Sequence, residues 1–171
     1  MRQLVKFLIL SLLLTSCSRK VAFTVDVRQQ YNFSVDKLKK IQFYTSEEIV
    51  LYKSKESGDA NVFDGKVYMR NDKSIEKIII KRNTLCVLVD TLGSNKFLIS
   101  AEYGEGKVLL FGNNPENTYS LMAKNWNGTT GSVKYANNNY ITANGSTILL
   151  VKMRKLNQLR GRQRTVKGRK I

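Results

Sequence analysis

Short runs of β-branched and aromatic residues, each closed off by Gly, Asn or Asp, recur from about residue 21 to Arg154 and constrain this chain to an all-β fold. Runs at 21–27, 41–44, 49–53, 62–69, 75–80, 85–89, 97–102, 108–112, 118–124, 132–135, 140–143 and 147–153 read as strands. Between them lie residues that tolerate positive φ: Asp64-Gly65, Gly93-Ser94-Asn95, Gly104-Glu105-Gly106, Asn127-Gly128 and Asn144-Gly145. Asn144-Gly145, set between Tyr140-Ile141-Thr142-Ala143 and Ser146-Thr147-Ile148-Leu149-Leu150, predicts a two-residue type I′ hairpin. Ser34 as N-cap, with Val35, Leu38 and Ile41 at helical spacing, predicts one helical turn over 34–40. Asn114-Pro115-Glu116 opens either a second helical turn or a loop. Closely spaced turns without a long helix imply antiparallel pairing, because parallel strands need long crossovers. The expected fold is therefore all-β, an antiparallel sandwich, roll or small barrel, with one or two short helical turns and a basic C-terminal arm.

The N-terminus has a different character. Arg2 and Lys6 precede a short apolar core over 7–14 that, bounded by charge at Lys6 and Arg19, falls well short of the roughly 18 residues of a membrane span. The stretch ends in Leu14-Thr15-Ser16-Cys17, which resembles the lipobox of bacterial lipoproteins at all four positions. That resemblance implies a signal peptide at 1–16 and an acylated, palmitate-bearing N-terminus at Cys17. After a lipidated N-terminus and linker over 17–20, the strand pattern places an all-β domain over 21–153, and the basic end, interrupted by Gly161 and Gly168, reads as a flexible arm over 154–171. Ser18 is neutral and no acidic tract follows, so the implied address is the periplasmic leaflet of the outer membrane, with surface exposure the alternative. Removing 1–16 leaves 155 residues, the size of one domain with its own core. Eight Tyr, seven Phe and 42% hydrophobic residues are enough to build it.

Charge is the second constraint. The net value is +16, and loss of Arg2 and Lys6 with the leader would leave +14. Such a balance ordinarily suggests nucleic acid. An exported domain instead meets acidic lipid head groups, peptidoglycan carboxylates and acidic proteins, so no nucleic-acid partner is expected. After Glu116 no acidic residue occurs, yet Lys124, Lys134 and Lys152 follow and the charge then condenses. Arg154, Lys155, Arg160, Arg162, Arg164, Lys167, Arg169 and Lys170 are the candidate anion-binding residues. Five of them are arginines, suited to bidentate contacts with phosphate or carboxylate. Leu156 and Leu159 could let the first turn of this arm dock as a helix on a partner.

Catalytic patterns are missing. The chain has no His, which excludes Ser-His-Asp and Cys-His chemistry and the imidazole ligands of most catalytic zinc sites. No Ser-x-x-Lys stands on a convincing helix. Glu47, Glu48, Asp64, Glu102 and Glu105 could in principle supply a carboxylate pair, but nothing in the spacing pairs them. A non-enzymatic protein without cofactor or metal is expected. Cys86, within Leu85-Cys86-Val87-Leu88-Val89, reads as a buried structural thiol.

Gln42-Phe43-Tyr44-Thr45-Ser46 followed by Ile49-Val50-Leu51, with the basic ending, resembles small β-rich outer-membrane lipoproteins of Bacteroidota. No activity comes with that resemblance. Asp90-Thr91-Leu92 likewise resembles the O-glycosylation acceptor used in that group. The sequence thus points to a lipid-anchored binding or scaffold module of the cell envelope whose basic arm meets peptidoglycan, acidic lipid or an acidic partner protein. The alternative is a polysaccharide-binding accessory lipoprotein, with Trp126, in Asn125-Trp126-Asn127-Gly128, as its candidate glycan platform.

Overall fold

A computed structural model describes residues 19–53, the backbone of 60–63 and 66–69, and residues 76–128 and 130–159. The lipobox with Cys17, the Asp64-Gly65 turn and the basic residues Arg160, Arg162, Arg164, Lys167, Arg169 and Lys170 lie outside the described residues.

Antiparallel pairing dominates. A seven-stranded sheet contains β1 (Lys20–Ala22), β2 (Phe43–Thr45), β7 (Leu85–Thr91), β8 (Lys96–Ser100), β9 (Leu109–Asn113), β10 (Tyr119–Leu121) and β14 (Leu149–Lys152). Its order is β1-β14-β2-β7-β8-β9-β10. Its edges then meet, because Ser120 bridges Ile148 and Thr24 bridges Thr118, so the sheet curls into a small barrel. A second sheet holds β3 (Ile49–Lys53), β6 (Glu76–Ile80), β11 (Lys124–Asn127), β12 (Thr130–Tyr135) and β13 (Asn138–Thr142), in the order β11-β12-β13-β3-β6. β4 (Ala60–Phe63) and β5 (Lys66–Met69) pair as a separate ribbon. Three short helices, α1 (Val25–Tyr31), α2 (Val35–Leu38) and α3 (Met153–Leu159), complete the described elements.

The period-2 alternation of β8 and β9 sends Phe97, Ile99, Leu109 and Phe111 into the barrel. Aromatic rings fill it: Phe97 stacks on Tyr119 at 4.4 Å between centroids, and Phe23 stacks on Tyr119 at 5.5 Å and meets Phe43 edge-on at 5.2 Å. Each such pair contributes about 0.5–1.5 kcal/mol beyond its burial. Arg28 of α1 lies across one end, its guanidinium 5.1 Å over the Phe97 ring and donating to the Tyr119 hydroxyl at 3.2 Å. From the second sheet, Ile49, Leu51, Ile80, Val133, Tyr135 and Tyr140 join the same core.

The expected all-β architecture is present, and four local expectations are corrected. The run 21–27 is strand only at its start, because Thr24 accepts the Val27 amide through its hydroxyl and caps α1 instead. The run 62–69 is divided between β4 and β5, and the run 118–124 between β10 and β11, where the chain passes from one sheet to the other at Met122-Ala123. Asn144-Gly145 is not a hairpin: β13 pairs with β12 and β3, while β14 pairs with β1 and β2, so this segment crosses between sheets. Neither residue takes positive φ, and the Asn144 carboxamide instead accepts from Ser146 and donates to the Glu48 carbonyl at 2.7 Å. The two-residue turn with both φ values positive is Ala136-Asn137, joining β12 to β13. The expected turn over 34–40 is α2, capped by Ser34, and Asn114-Pro115-Glu116 forms a loop closed by the Asn117 amide on the Asn114 carbonyl.

The start of the expected flexible arm is also ordered. Residues 153–159 continue β14 directly into α3, where Leu156 is fully buried, Met153 and Leu159 pack on the core, and Asn157 accepts from the Tyr31 hydroxyl of α1. The helix expected to dock on a partner docks on its own domain. Leu156→Ala should therefore cost about 2–5 kcal/mol in urea unfolding, as for other fully buried leucines; a loss below about 1 kcal/mol would mean that α3 is not part of the cooperative unit.

Candidate functional site

Two cationic regions stand out among the described residues. The first is a corner of the barrel. Lys20 in β1 is the cross-strand partner of Lys152 in β14, and both ammonium groups lie over the buried Tyr44 ring, at 4.1 and 5.6 Å from its centroid. Arg19 precedes this pair, and Arg154 and Lys155 follow it on the exposed side of α3. Strand pairing thus gathers cations from both ends of the described chain at one place. The ring offsets some of their mutual repulsion, and the Lys20 ammonium also donates to Asn83 at 2.9 Å.

The second region is a cleft of about 550 Å³ where the chain bends from β10 into β11. Leu98, Val108, Leu110 and Met122 form its apolar floor, and Lys96, Lys124 and Lys134 line it too, with Asn137 and Asn139. Leu98 and Leu110 are direct cross-strand partners and alternate away from the residues that fill the barrel. Gly112 makes room for the Met122 side chain, since a Cβ there would stand 2.1 Å from the sulfur. At one end the Gly106 carbonyl accepts the Ala136 amide at 2.8 Å, tying the β8–β9 loop to the β12–β13 turn.

That loop is braced further by Glu102. Its carboxylate accepts from the buried Tyr135 hydroxyl and from Lys107 at 3.0 Å, and these two bonds hold it below the usual carboxylate range. Burial and the adjacent carboxylate push the Tyr135 phenol upward. Tyr140 has the same relation to Glu76, donating at 2.9 Å, with its phenol raised by burial and by that bond. These carboxylates are structural acceptors. They do not form a facing acid pair, because each is committed to its own tyrosine and lysine.

Cys86 is buried and free, its thiol pushed up to about 12 by burial. A thiol so raised is a poor nucleophile. Ser34 and Lys37 do stand at Ser-x-x-Lys spacing, but the Ser34 hydroxyl is engaged in capping α2, accepting the Lys37 amide. Among the described residues, no three His, Cys, Asp or Glu side chains stand together as metal ligands, and no helix is long and apolar enough to cross a membrane.

Trp126 is 39% exposed and lies against two glycines. A Cβ on Gly131 or Gly145 would come within 2.8 and 2.6 Å of the indole, so part of its surface is covered by backbone. The neighbouring Asn144 carboxamide is already occupied within its own turn and by the Glu48 carbonyl. Sequence reasoning located the basic end and the tryptophan but missed the cleft. Its signal was the apolar character of 97–99 and 108–111 on both strand faces, where a solvated outer face would alternate. Comparison with protein-family models, curated proteins and solved structures finds no match for this chain.

Tyr135→Phe tests the loop brace through its pH dependence. The raised phenol contributes stability that is present below about pH 10 and lost as pH rises beyond it, since only the unfolded tyrosine then ionises freely. The lowered Glu102 contributes stability that is present above about pH 4 and lost as pH falls through its folded value. Urea unfolding across this span should show the variant weaker by about 1 kcal/mol at neutral pH. Its alkaline loss should be shallower, and its acid loss partly retained through Lys107.

Proposed function

We propose that this chain is a non-enzymatic lipoprotein of the cell envelope, acylated at Cys17, whose β-barrel domain serves as a binding module oriented by its basic end on an anionic membrane surface. One observation carries the reading: Lys20, three residues after Cys17, is the cross-strand partner of Lys152, which leads directly into α3. Three extended residues reach at most about 11 Å. Acyl chains on Cys17 would therefore hold the Lys20–Lys152 corner roughly one Debye length from the head groups. There each Lys or Arg facing acidic lipid is worth about 1 kcal/mol.

Two kinds of attachment then have different tasks. Tens of methylenes, at about 0.8 kcal/mol each, keep the protein in the bilayer without help from its charge. Arg19, Lys20, Lys152, Arg154 and Lys155 set which side of the barrel faces the surface. Acidic lipid of the anchoring leaflet is the nearest polyanion; peptidoglycan carboxylates or an acidic partner protein could take the remainder of the arm. Ser18 favours the periplasmic face of the outer membrane as the address. An extracytoplasmic site removes nucleic acid as a partner.

The deciding experiment is metabolic labelling with an alkyne palmitate analogue. Wild-type protein should take the label and sediment with membranes, and Cys17→Ala should lose the label and enter the soluble fraction. Buried Cys86 should remain unlabelled. Lys152→Glu with Lys155→Glu should keep label and sedimentation while altering protease access to the domain. An unlabelled wild-type protein fractionating with ribosomes would overturn the proposal and make RNA the partner to consider.

A further inference from the structure

The geometry points to the cleft at the β10–β11 bend as a binding site for a single acyl chain that ends in an anionic head group. This goes beyond the membrane tether and does not depend on it. Strands β8 and β9 are apolar on both faces: Phe97, Ile99, Leu109 and Phe111 fill the barrel, while Leu98 and Leu110 project from its outside. A solvated outer face would be polar at the last two positions. Met122, seated over Gly112, adds an adaptable thioether to the floor, and about 550 Å³ lies within the range of small-molecule sites.

Charge selects the head group. Lys96, Lys124 and Lys134 line the cleft with no Asp or Glu among its lining residues. Among the described residues none of the three ammonium groups forms an ion pair or side-chain hydrogen bond, whereas Lys107 and Lys53 are paired with Glu102 and Glu76. Three uncompensated cations beside an aliphatic floor complement an amphiphile with a carboxylate or phosphate.

Backbone geometry selects a chain over a peptide. β8 is paired on both sides by β7 and β9, and β9 by β8 and β10, so the floor offers no free strand edge to a peptide main chain, and the neighbouring edge of β11 is broken by a register shift between Lys124 and Asn127. An apolar floor without such partners penalises buried amides but not methylenes.

The test uses protein isolated from cells and held in phosphatidylcholine discs, with photoreactive laurate carrying its diazirine at the chain end. Crosslinks should map to β8, β9 and β12, and a dodecyltrimethylammonium probe of the same design should label them about tenfold less, given two to three exposed lysines near the head group. Excess laurate and lauroyl-lysophosphatidylglycerol compete as separate arms; displacement by either supports the site, and the stronger one identifies free acid or phospholipid as the source. Lys124→Glu with Lys134→Glu, both at exposed positions, should reduce labelling by about the same factor with an unchanged circular dichroism spectrum. The charge-matched control Lys37→Glu with Lys39→Glu should leave it intact. Cys17→Ala protein, assayed in solution without discs, should still crosslink at the cleft, which separates failure here from failure of the acylation proposal. Equal labelling by the cationic probe, labelling indifferent to the Lys124 and Lys134 changes, or stronger displacement by an aliphatic peptide than by laurate would overturn the inference.

Discussion

The pairing of β1 with β14 is the contact on which the rest of the molecule depends. Its three register pairs, Lys20 with Lys152, Val21 with Val151 and Ala22 with Leu150, set Phe23 over the barrel core and lead to the Thr24–Thr118 bridge that helps join the sheet's edges. They also fix where the chain enters and where α3 leaves. Without β1, β14 would present an open strand edge beside an apolar core. A very short edge strand therefore carries closure, core packing and the geometry of both ends.

Much of this was legible in the sequence, for reasons that differ by element. β3, at 49–53, and α2 with its Ser34 cap follow from local pattern, because short apolar β-branched runs and capping act within a few residues. Cys86 was equally legible, since cysteine is among the residue types most often buried, and it alternates inward with Leu88 while Leu85, Val87 and Val89 of the same strand face outward. The run 21–27 misled because β-branched residues serve both a strand and the helix after it; Thr24 with Asp26 in the first turn was the signal for the change. Asn144-Gly145 misled because its glycine serves packing, giving room to the Trp126 ring, and has no positive φ to supply. Which strands become neighbours is a non-local matter, so the passage of one run from β10 to β11 could not be read from local pattern, and the cleft at that bend left only the two-faced apolar character of 97–99 and 108–111 as its trace.

The basic character of the chain divides into two kinds of surface. At the Lys20–Lys152 corner the cations are solvated, partly stacked on Tyr44 and continuous with α3, an arrangement suited to a broad anionic plane. In the cleft, the cations border an apolar floor, which suits a single amphiphile. Both follow from one compositional fact, that carboxylates are few and the described pairs bind Glu102 and Glu76 to lysines elsewhere. A domain with balanced charge could not leave this many ammonium groups uncompensated.

Strand pairing would bring the proposed acyl anchor and the start of the basic helix to the same membrane surface. Fluorescence quenching tests it most directly, using a fluorophore on Lys155→Cys in the membrane-anchored protein and vesicles whose acidic lipids carry a nitroxide at the head group. The account predicts strong quenching that weakens as salt screens the contact. Emission as bright as in vesicles without nitroxide, with the protein still bound to them, would contradict it.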